Sequence, residues 1–258
     1  MTARTRTRTA RVLGAAAVTA LLVTALGACA DAEDDKEPDH RAFTLPGANL
    51  TVDSDDSALE IVSVDGGKPG RIEVTRWFHG RVTLGGDPKV SWTMDGDRLK
   101  LRVHCNGLIA DCSAKHRIEV PRGTAVTVRE DDGSVSARGF RDALSIRTED
   151  GSVHVSDSSG PLDLRSDDGS VHADVDSRRV SAHTADGSVR LGLGTVPDRV
   201  EAGSDDGSVT VTVPRATYKV STKSEDGGVD VSVPRDDTSA HVVDVETKDG
   251  GITVRTAN

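Results

Sequence analysis

Aromatic rings are scarce in this sequence: two Trp, one Tyr and three Phe among 258 residues. A core built without rings draws on Val, Leu, Ile and Ala, which favours thin β layers over a bulky interior. Basic charge is short as well, with 32 Lys and Arg against 42 Asp and Glu and a net charge of −10. A nucleic-acid binder needs a basic face, so that class is excluded. The excess of acid is uneven: residues 41–122 hold 12 basic and 11 acidic side chains, whereas residues 123–258 hold 15 and 25. The one marked apolar run, Val12 to Ala25, is short for a membrane span, and the remainder is far too polar for a membrane channel. No nucleophile elbow, metal-protease helix or phosphate-binding loop occurs. Glycine, by contrast, is plentiful at 26 residues.

What is present begins with a targeting segment. Arg4, Arg6, Arg8 and Arg11 form a positive region without a single acid, and the apolar run comes directly after it, as in a secretory signal. The run leads into Leu26-Gly27-Ala28-Cys29, which resembles a bacterial lipobox: small residues admit the peptidase, and the Cys29 thiol receives diacylglycerol. Residues 1–28 therefore read as a lipoprotein signal peptide, and Cys29 as the lipid-bearing first residue of the mature chain. Each buried lipid methylene contributes about 0.8 kcal/mol to attachment. The expected location is the outer face of the bacterial plasma membrane. Residues 29–40 form an acidic stretch, in which Asp31, Glu33, Asp34, Asp35, Glu37 and Asp39 surround Lys36 and Pro38. Such a run repels itself and buries nothing, so it reads as a flexible tether.

With Cys29 assigned to lipid, Cys105 and Cys112 remain as an even pair in an exported chain, expected to form a disulfide. On the chain-entropy model the bridge stabilises by about 2–3 kcal/mol. A zinc site helped by His104 and His116 is the sharper alternative, but the spacing departs from the Cys-x-x-Cys knuckle. Residues 41–122 read as an N-terminal β region of hairpins. Leu59 to Val64 is expected to meet Arg71 to Phe78 around Asp65-Gly66-Gly67, and Val90 to Met94 to meet Leu99 to Val103 across Asp95-Gly96-Asp97. Asp-Gly pairs supply the positive φ angles of tight turns. Trp77, Phe78 and Trp92 are expected to form a small hydrophobic cluster that closes one end of the C-terminal half.

Residues 123–258 carry a repeat. Asp-Gly-Ser-Val stands at Asp132, Asp150, Asp168, Asp186 and Asp206, with Asp-Gly-Gly variants at Asp226 and Asp249. The glycines are spaced by 18, 18, 18, 20, 20 and 23 residues. With a period of two, Leu144, Ile146, Val153 and Val155 share one face while Arg147 and His154 share the other, and Leu162, Leu164, Val171 and Ala173 repeat the first set. Each unit reads as strand, Asp-Gly turn, strand, connector, with Pro161, Pro197, Pro214 and Pro234 in or near the connectors. One unit cannot bury its apolar face alone, and stacking lets neighbours share it. The expected fold is an all-β, parallel β-helix-like solenoid of about seven coils of 18–23 residues, with strands about 4.8 Å apart. An antiparallel meander is the competing arrangement, because Asp-Gly also suits a hairpin.

In-register turns would align Asp132, Asp150, Asp168, Asp186, Asp206 and Asp226 in a column, thickened by Asp131, Glu149, Asp167, Asp205 and Glu225. Arg129, Arg147, Arg165, His183 and Lys223 stand three positions upstream of these aspartates, and His154, His172 and Arg190 four positions downstream. The simplest account is a striped surface of weak exposed pairs, each about 0.2–1 kcal/mol. The alternative is calcium bridging the six aspartates. The glycine-rich nonapeptide of calcium-binding β-rolls is missing, and the Arg columns weaken the local negative field. His154 and His172 as transition-metal ligands are a further alternative to plain solvated residues. No cofactor is required.

The lipobox, the Cys105/Cys112 segment with Ile118-Glu119-Val120-Pro121-Arg122-Gly123 after it, and the tandem Asp-Gly-Ser-Val units together resemble the toastrack-type family of bacterial β-repeat proteins, over roughly residues 41–258. The resemblance implies a surface-exposed, non-catalytic, adhesin-like domain and offers no catalytic residues. Expected partners are the membrane, through the lipid, and a cell-wall polymer or another envelope protein. The competing class is a glycan-cleaving β-helix enzyme, since glycosidases need two carboxyls at a set separation. An active site would break the pattern, yet acids recur in every unit, and the repeat half offers only Phe140 and Tyr218 as sugar platforms.

Overall fold

A computed structural model of the chain describes residues 31, 32 and 35–257. Cys29, with the signal segment before it, lies outside the described residues. The N-terminal strands are β1 (Asp39–Thr44), β2 (Asn49–Ser54), β3 (Ser57–Val64), β4 (Arg71–Gly85), β5 (Lys89–Asp95), β6 (Arg98–His104) and β7 (Gly107–Pro121). The next are β8 (Ala125–Glu130), β9 (Val135–Arg138), β10 (Leu144–Thr148), β11 (Val153–Ser156), β12 (Leu162–Ser166), β13 (Val171–Val175) and β14 (Arg179–Thr184). The chain continues with β15 (Val189–Leu193), β16 (Arg199–Asp206), β17 (Val209–Val213), β18 (Lys219–Asp226), β19 (Val229–Ser232), β20 (Val242–Asp249) and β21 (Ile252–Thr256).

These strands build two facing sheets. From β8 onward each unit places its first strand in a 10-stranded sheet, turns at Asp-Gly, and places its second strand in an 11-stranded sheet. A unit is therefore a rung spanning both layers. Rungs stack in parallel and in register: Leu144 pairs with Leu162 and Val126, and Val153 with Val171 and Val135. The parallel pairing excludes the meander. Inward residues alternate along each strand, and Leu144, Ile146, Val153, Val155, Leu162, Leu164, Val171 and Ala173 are all buried in one continuous apolar cluster. Small aliphatic side chains fill the narrow space between the layers, as the shortage of rings demands.

The rungs do not stack in chain order at either end. The last rung, β20/β21, inserts between β16/β17 and β18/β19, so β18 bonds only β20, and β19 only β21. At the other end β2/β3 lies between β6/β7 and β8/β9. The expected hairpin of Leu59 to Val64 with Arg71 to Phe78 does not form. Strand β3 is parallel to β7 and β9, while β4 runs antiparallel to β1 and β7. Once β7 occupies the place beside β3, the chain from Asp65 to Gly70 has to step across it. The β5/β6 hairpin forms as expected, with Gly96 at φ 61°.

The aromatic closure also differs in membership. Trp92 packs edge-on to Phe43, with ring centroids 6.2 Å apart, and against the buried His116, while the Arg76 guanidinium covers its face at 4.4 Å. Trp77 and Phe78 are only half-buried and lie outside this core, where the β4/β7 ribbon begins to run past the end of β3 at Ser57. Cys105 and Cys112 form a disulfide with Cα atoms 6.2 Å apart. His116 points into the core beside Trp92 and His104 is exposed, so neither joins the cysteines in a zinc site.

Candidate functional site

The turn between the two strands of each rung is fixed by glycine, though not through φ. None of Gly133, Gly151, Gly169, Gly187, Gly207 and Gly227 has a positive φ, and Gly250, at φ 159°, is close to extended backbone. A Cβ on Gly169 would instead collide with the carbonyl of Gly151, and one on Gly151 with that of Gly133. The rungs approach so closely here that only backbone fits.

A hydroxyl three residues before the glycine locks most of this column, buried at Thr148, Ser166, Thr184, Ser204 and Thr247 and half-buried at Ser224. Ser166 Oγ accepts the Gly169 N–H at 2.8 Å and donates to the Gly151 carbonyl at 2.8 Å. Thr184 donates to Gly169, Ser204 to Gly187 and Thr247 to Gly207, at 2.7, 2.7 and 2.9 Å. Each hydroxyl thus ties its own turn to the rung beneath it. At β8 the pattern breaks: Glu130 takes the hydroxyl position, between Ser54 and Thr148. Glu130 is 2% exposed, and its Oε1 accepts from the Ser57 amide at 3.1 Å. Burial pushes its carboxyl up to about 8, with Asp131 and Asp55 adding to the rise.

On the outside of the turns the aspartates form a ladder. Its spatial order is Asp56, Asp132, Asp150, Asp168, Asp186, Asp206, Asp249, Asp226. The six expected members are all there, but Asp249 is interposed between Asp206 and Asp226, and Asp56 extends the ladder beyond Asp132. Alternate carboxyls are held above the usual carboxylate range. At Asp150 and Asp249 the main cause is a hydrogen bond to the next aspartate, and at Asp56 and Asp186 it is burial, with neighbouring acids second. The groups lie along a line, and among the described residues no three His, Cys, Asp or Glu side chains converge so as to hold a metal ion. His154 and His172 stack on the outer face of the 11-stranded sheet, centroids 5.1 Å apart, with His172 Nε2 2.8 Å from Asp174.

The outer face of the 10-stranded sheet carries a groove across the strands. Its basic row runs Arg129, Arg147, Arg165, His183, then Gly203, Glu246 and Lys223. Gly203 and Glu246 interrupt the basic column read from the repeat, because the exchanged last rung brings Glu246 next to Lys223. A Cβ on Gly203 would lie 2.7 Å from His183 Nδ1 and 3.4 Å from Glu246 Cγ, so both side chains lean over bare backbone. Around this notch is a cleft of about 540 Å³, lined by Arg165, Ser181, His183 and Lys223 among others. A second cleft of about 180 Å³, lined by Arg129, Ser145 and Arg147, meets the first at Arg165. Arg165 pairs with Asp163 at 3.3 Å, whereas Arg129 and Arg147 make no ion pair among the described residues.

Parallel two-layer rungs with this turn chemistry agree with a family model, which matches residues 118–255 and is described as Toastrack DUF4097. The chain belongs to the Toastrack family. No curated protein matches the sequence. Among solved structures, this Toastrack chain is similar to a "putative adhesin" from Bacteroides fragilis, with TM-score 0.51 and 14% identity over 86% of this chain and 98% of that one. Another from Parabacteroides merdae gives TM-score 0.41 and 11% identity, covering 86% and 97%. A "putative cell adhesion protein" from Clostridium sporogenes gives 0.36 and 12%, covering 86% and 100%. At such identities the Bacteroides likeness speaks for the shared fold alone.

Proposed function

We propose that this Toastrack protein is a lipid-anchored bacterial surface protein whose β-repeat domain binds an envelope or cell-surface partner without catalysing a reaction. The observation that carries this reading is the cross-strand groove. Its chemistry is spread over consecutive rungs, which suits an extended partner contacted at many equivalent points. The description of the Bacteroides neighbour as a "putative adhesin" supports the same direction. The lipobox at Leu26 to Cys29 supports anchoring, and the acidic stretch after it supports only a short spacer, because Asp35 accepts from the Phe78 amide at 3.1 Å and Asp39 and His40 already belong to β1. Fractionation of cells producing the wild type and Cys29→Ala tests the anchor: the wild type is expected in membranes and the variant in the medium. A variant that stays fully membrane-bound refutes it. Incubating the protein with isolated envelopes tests the binding role, and failure to be retained there refutes that part.

A further inference from the structure

We infer that the groove on the 10-stranded sheet is a binding lane for a linear acidic polysaccharide carrying one carboxylate per sugar; this rests on the proposed binding role and names its ligand class. Neighbouring strands stand about 4.8 Å apart, and Arg129, Arg147 and Arg165 occupy the same register position on adjacent strands. Their guanidiniums therefore repeat at one strand spacing. A pyranose chain in extended form advances by about that length per sugar, so its sugars run in step with the strands, and where alternate sugars are flipped the carboxylates facing the lane recur at every second arginine.

The choice of Arg matters, since its planar fork grips a carboxylate through two parallel hydrogen bonds. Arg129 and Arg147 are unpaired and exposed, which leaves their forks available. Beside them the floor carries Ser145, Asp163 and Ser181 on adjacent strands; the two serines are short and hydroxylic, and the Asp163 carboxyl between them is engaged by Arg165. Such a floor admits a flat sugar chain and offers partners to its ring hydroxyls. At Gly203 the missing side chain opens a notch under His183 and Glu246. Glu246 accepts from sugar hydroxyls there, while Lys223 and His183 supply donors. The Arg row is bordered on the turn side by Asp131, Glu149 and Asp167, two residues along each strand. Those acids repel a polyanion from the turns and confine it to the single lane over the arginines. The carboxyls of Glu201 and Asp244 near the notch are engaged by Arg199 and do not oppose it.

The test uses the full-length chain and three soluble probes: polygalacturonate, its methyl ester, and an inorganic polyphosphate of matched charge. The expected result is binding to polygalacturonate, no binding to the ester, and clearly weaker binding to polyphosphate. Combined Arg129→Gln, Arg147→Gln and Arg165→Gln is expected to weaken binding about tenfold or more, and the triple Lys variant to lose most of the preference over polyphosphate. Equal binding by the Gln variant, equal binding of the ester, or no preference over polyphosphate would overturn the inference. If the triple variant loses its thermal transition, Ser181→Glu blocks the floor instead and is expected to abolish binding. Wild type that is retained by envelopes yet indifferent to polygalacturonate overturns the ligand class alone. Wild type retained by neither overturns the binding role with it.

Discussion

The middle rungs and the junction between β3 and β9 are built to one plan and solve it differently. In the middle, a Ser or Thr hydroxyl ties each glycine turn to the one beneath, so that at Ser166 a single side chain satisfies both the amide of its own turn and the carbonyl of its neighbour. At the junction the ladder meets Ser57 in place of glycine and Glu130 in place of the hydroxyl; Glu130 Oε2 and the Ser54 and Ser57 hydroxyls have no partner in good hydrogen-bond geometry there. The contrast shows that the repeat is held by a neutral polar column under each turn, and that a titratable group in that column exposes its stability to pH.

The largest expected effect comes from the middle. Gly169→Ala would drive a methyl into the Gly151 carbonyl, and the rungs must separate to admit it. Destabilisation of about 4 kcal/mol or more is expected, read as a collapse of the thermal midpoint. A midpoint within a degree or two of wild type would show that the rungs are not so closely stacked.

Next comes the junction. An unfolded Glu ionises near pH 4.5, whereas folded Glu130 keeps its proton to about 8. Between those values the folded state binds more protons than the unfolded one, so stability falls as pH rises through the window and is level on either side. The expected loss is about 3–5 kcal/mol. Glu130→Gln should remove that slope in urea titrations from pH 5 to pH 9, making the junction behave like a middle rung. His116 works in the opposite sense: burial, aided by the Arg76 charge, lowers its proton affinity to about 4 from 6.5, so it costs stability as pH falls below 6.5. His116→Phe should flatten the acid side of the same profile.

Ser166→Ala leaves the Gly169 amide and the Gly151 carbonyl without their shared hydroxyl, for an expected loss of about 1–3 kcal/mol by chemical denaturation. A negligible change would mean that water replaces the ladder. The smallest effect belongs outside: Asp150→Asn relieves repulsion from Asp132 and Asp168 and should raise the midpoint slightly at low salt, the gain shrinking as salt is added.

Much of this architecture is legible in the residues. Alternation at Leu144, Ile146, Val153 and Val155 predicts both layers, and the Asp-Gly-Ser-Val spacing predicts parallel rungs. The hydroxyl ladder has a sequence signal too, a Ser or Thr three residues before the glycine at Thr148, Ser166, Thr184, Ser204, Ser224 and Thr247, with Glu130 as the exception. The rung exchange does not. An alternating strand buries the same residues whichever neighbour it stacks on, so periodicity is blind to order. Connector length is no guide either: the long one, Val233 to His241, joins neighbouring rungs, whereas the short one, Pro214 to Tyr218, spans two rung places. The failed β3/β4 hairpin has the same origin, because Asp65-Gly66-Gly67 specifies a turn at Gly66, φ 78°, without saying which strand lies beyond it.

The exchanged rung also decides how the molecule can be assembled. Strands β18 and β19 meet β20 and β21 in the same register in which β16 and β17 meet them, so until residues 242–256 dock, the edges of β16 and β17 are open to either repeat. Growth by simple addition at the tip leads to a different order from the finished stack, and a nascent chain halted before Val242 can set its sixth repeat on the edge that the seventh takes in the native order. The sixth and seventh repeats thus compete for one edge, and the native order is set by which of them holds it: a shortened product is a shorter column with its last rung one place closer in.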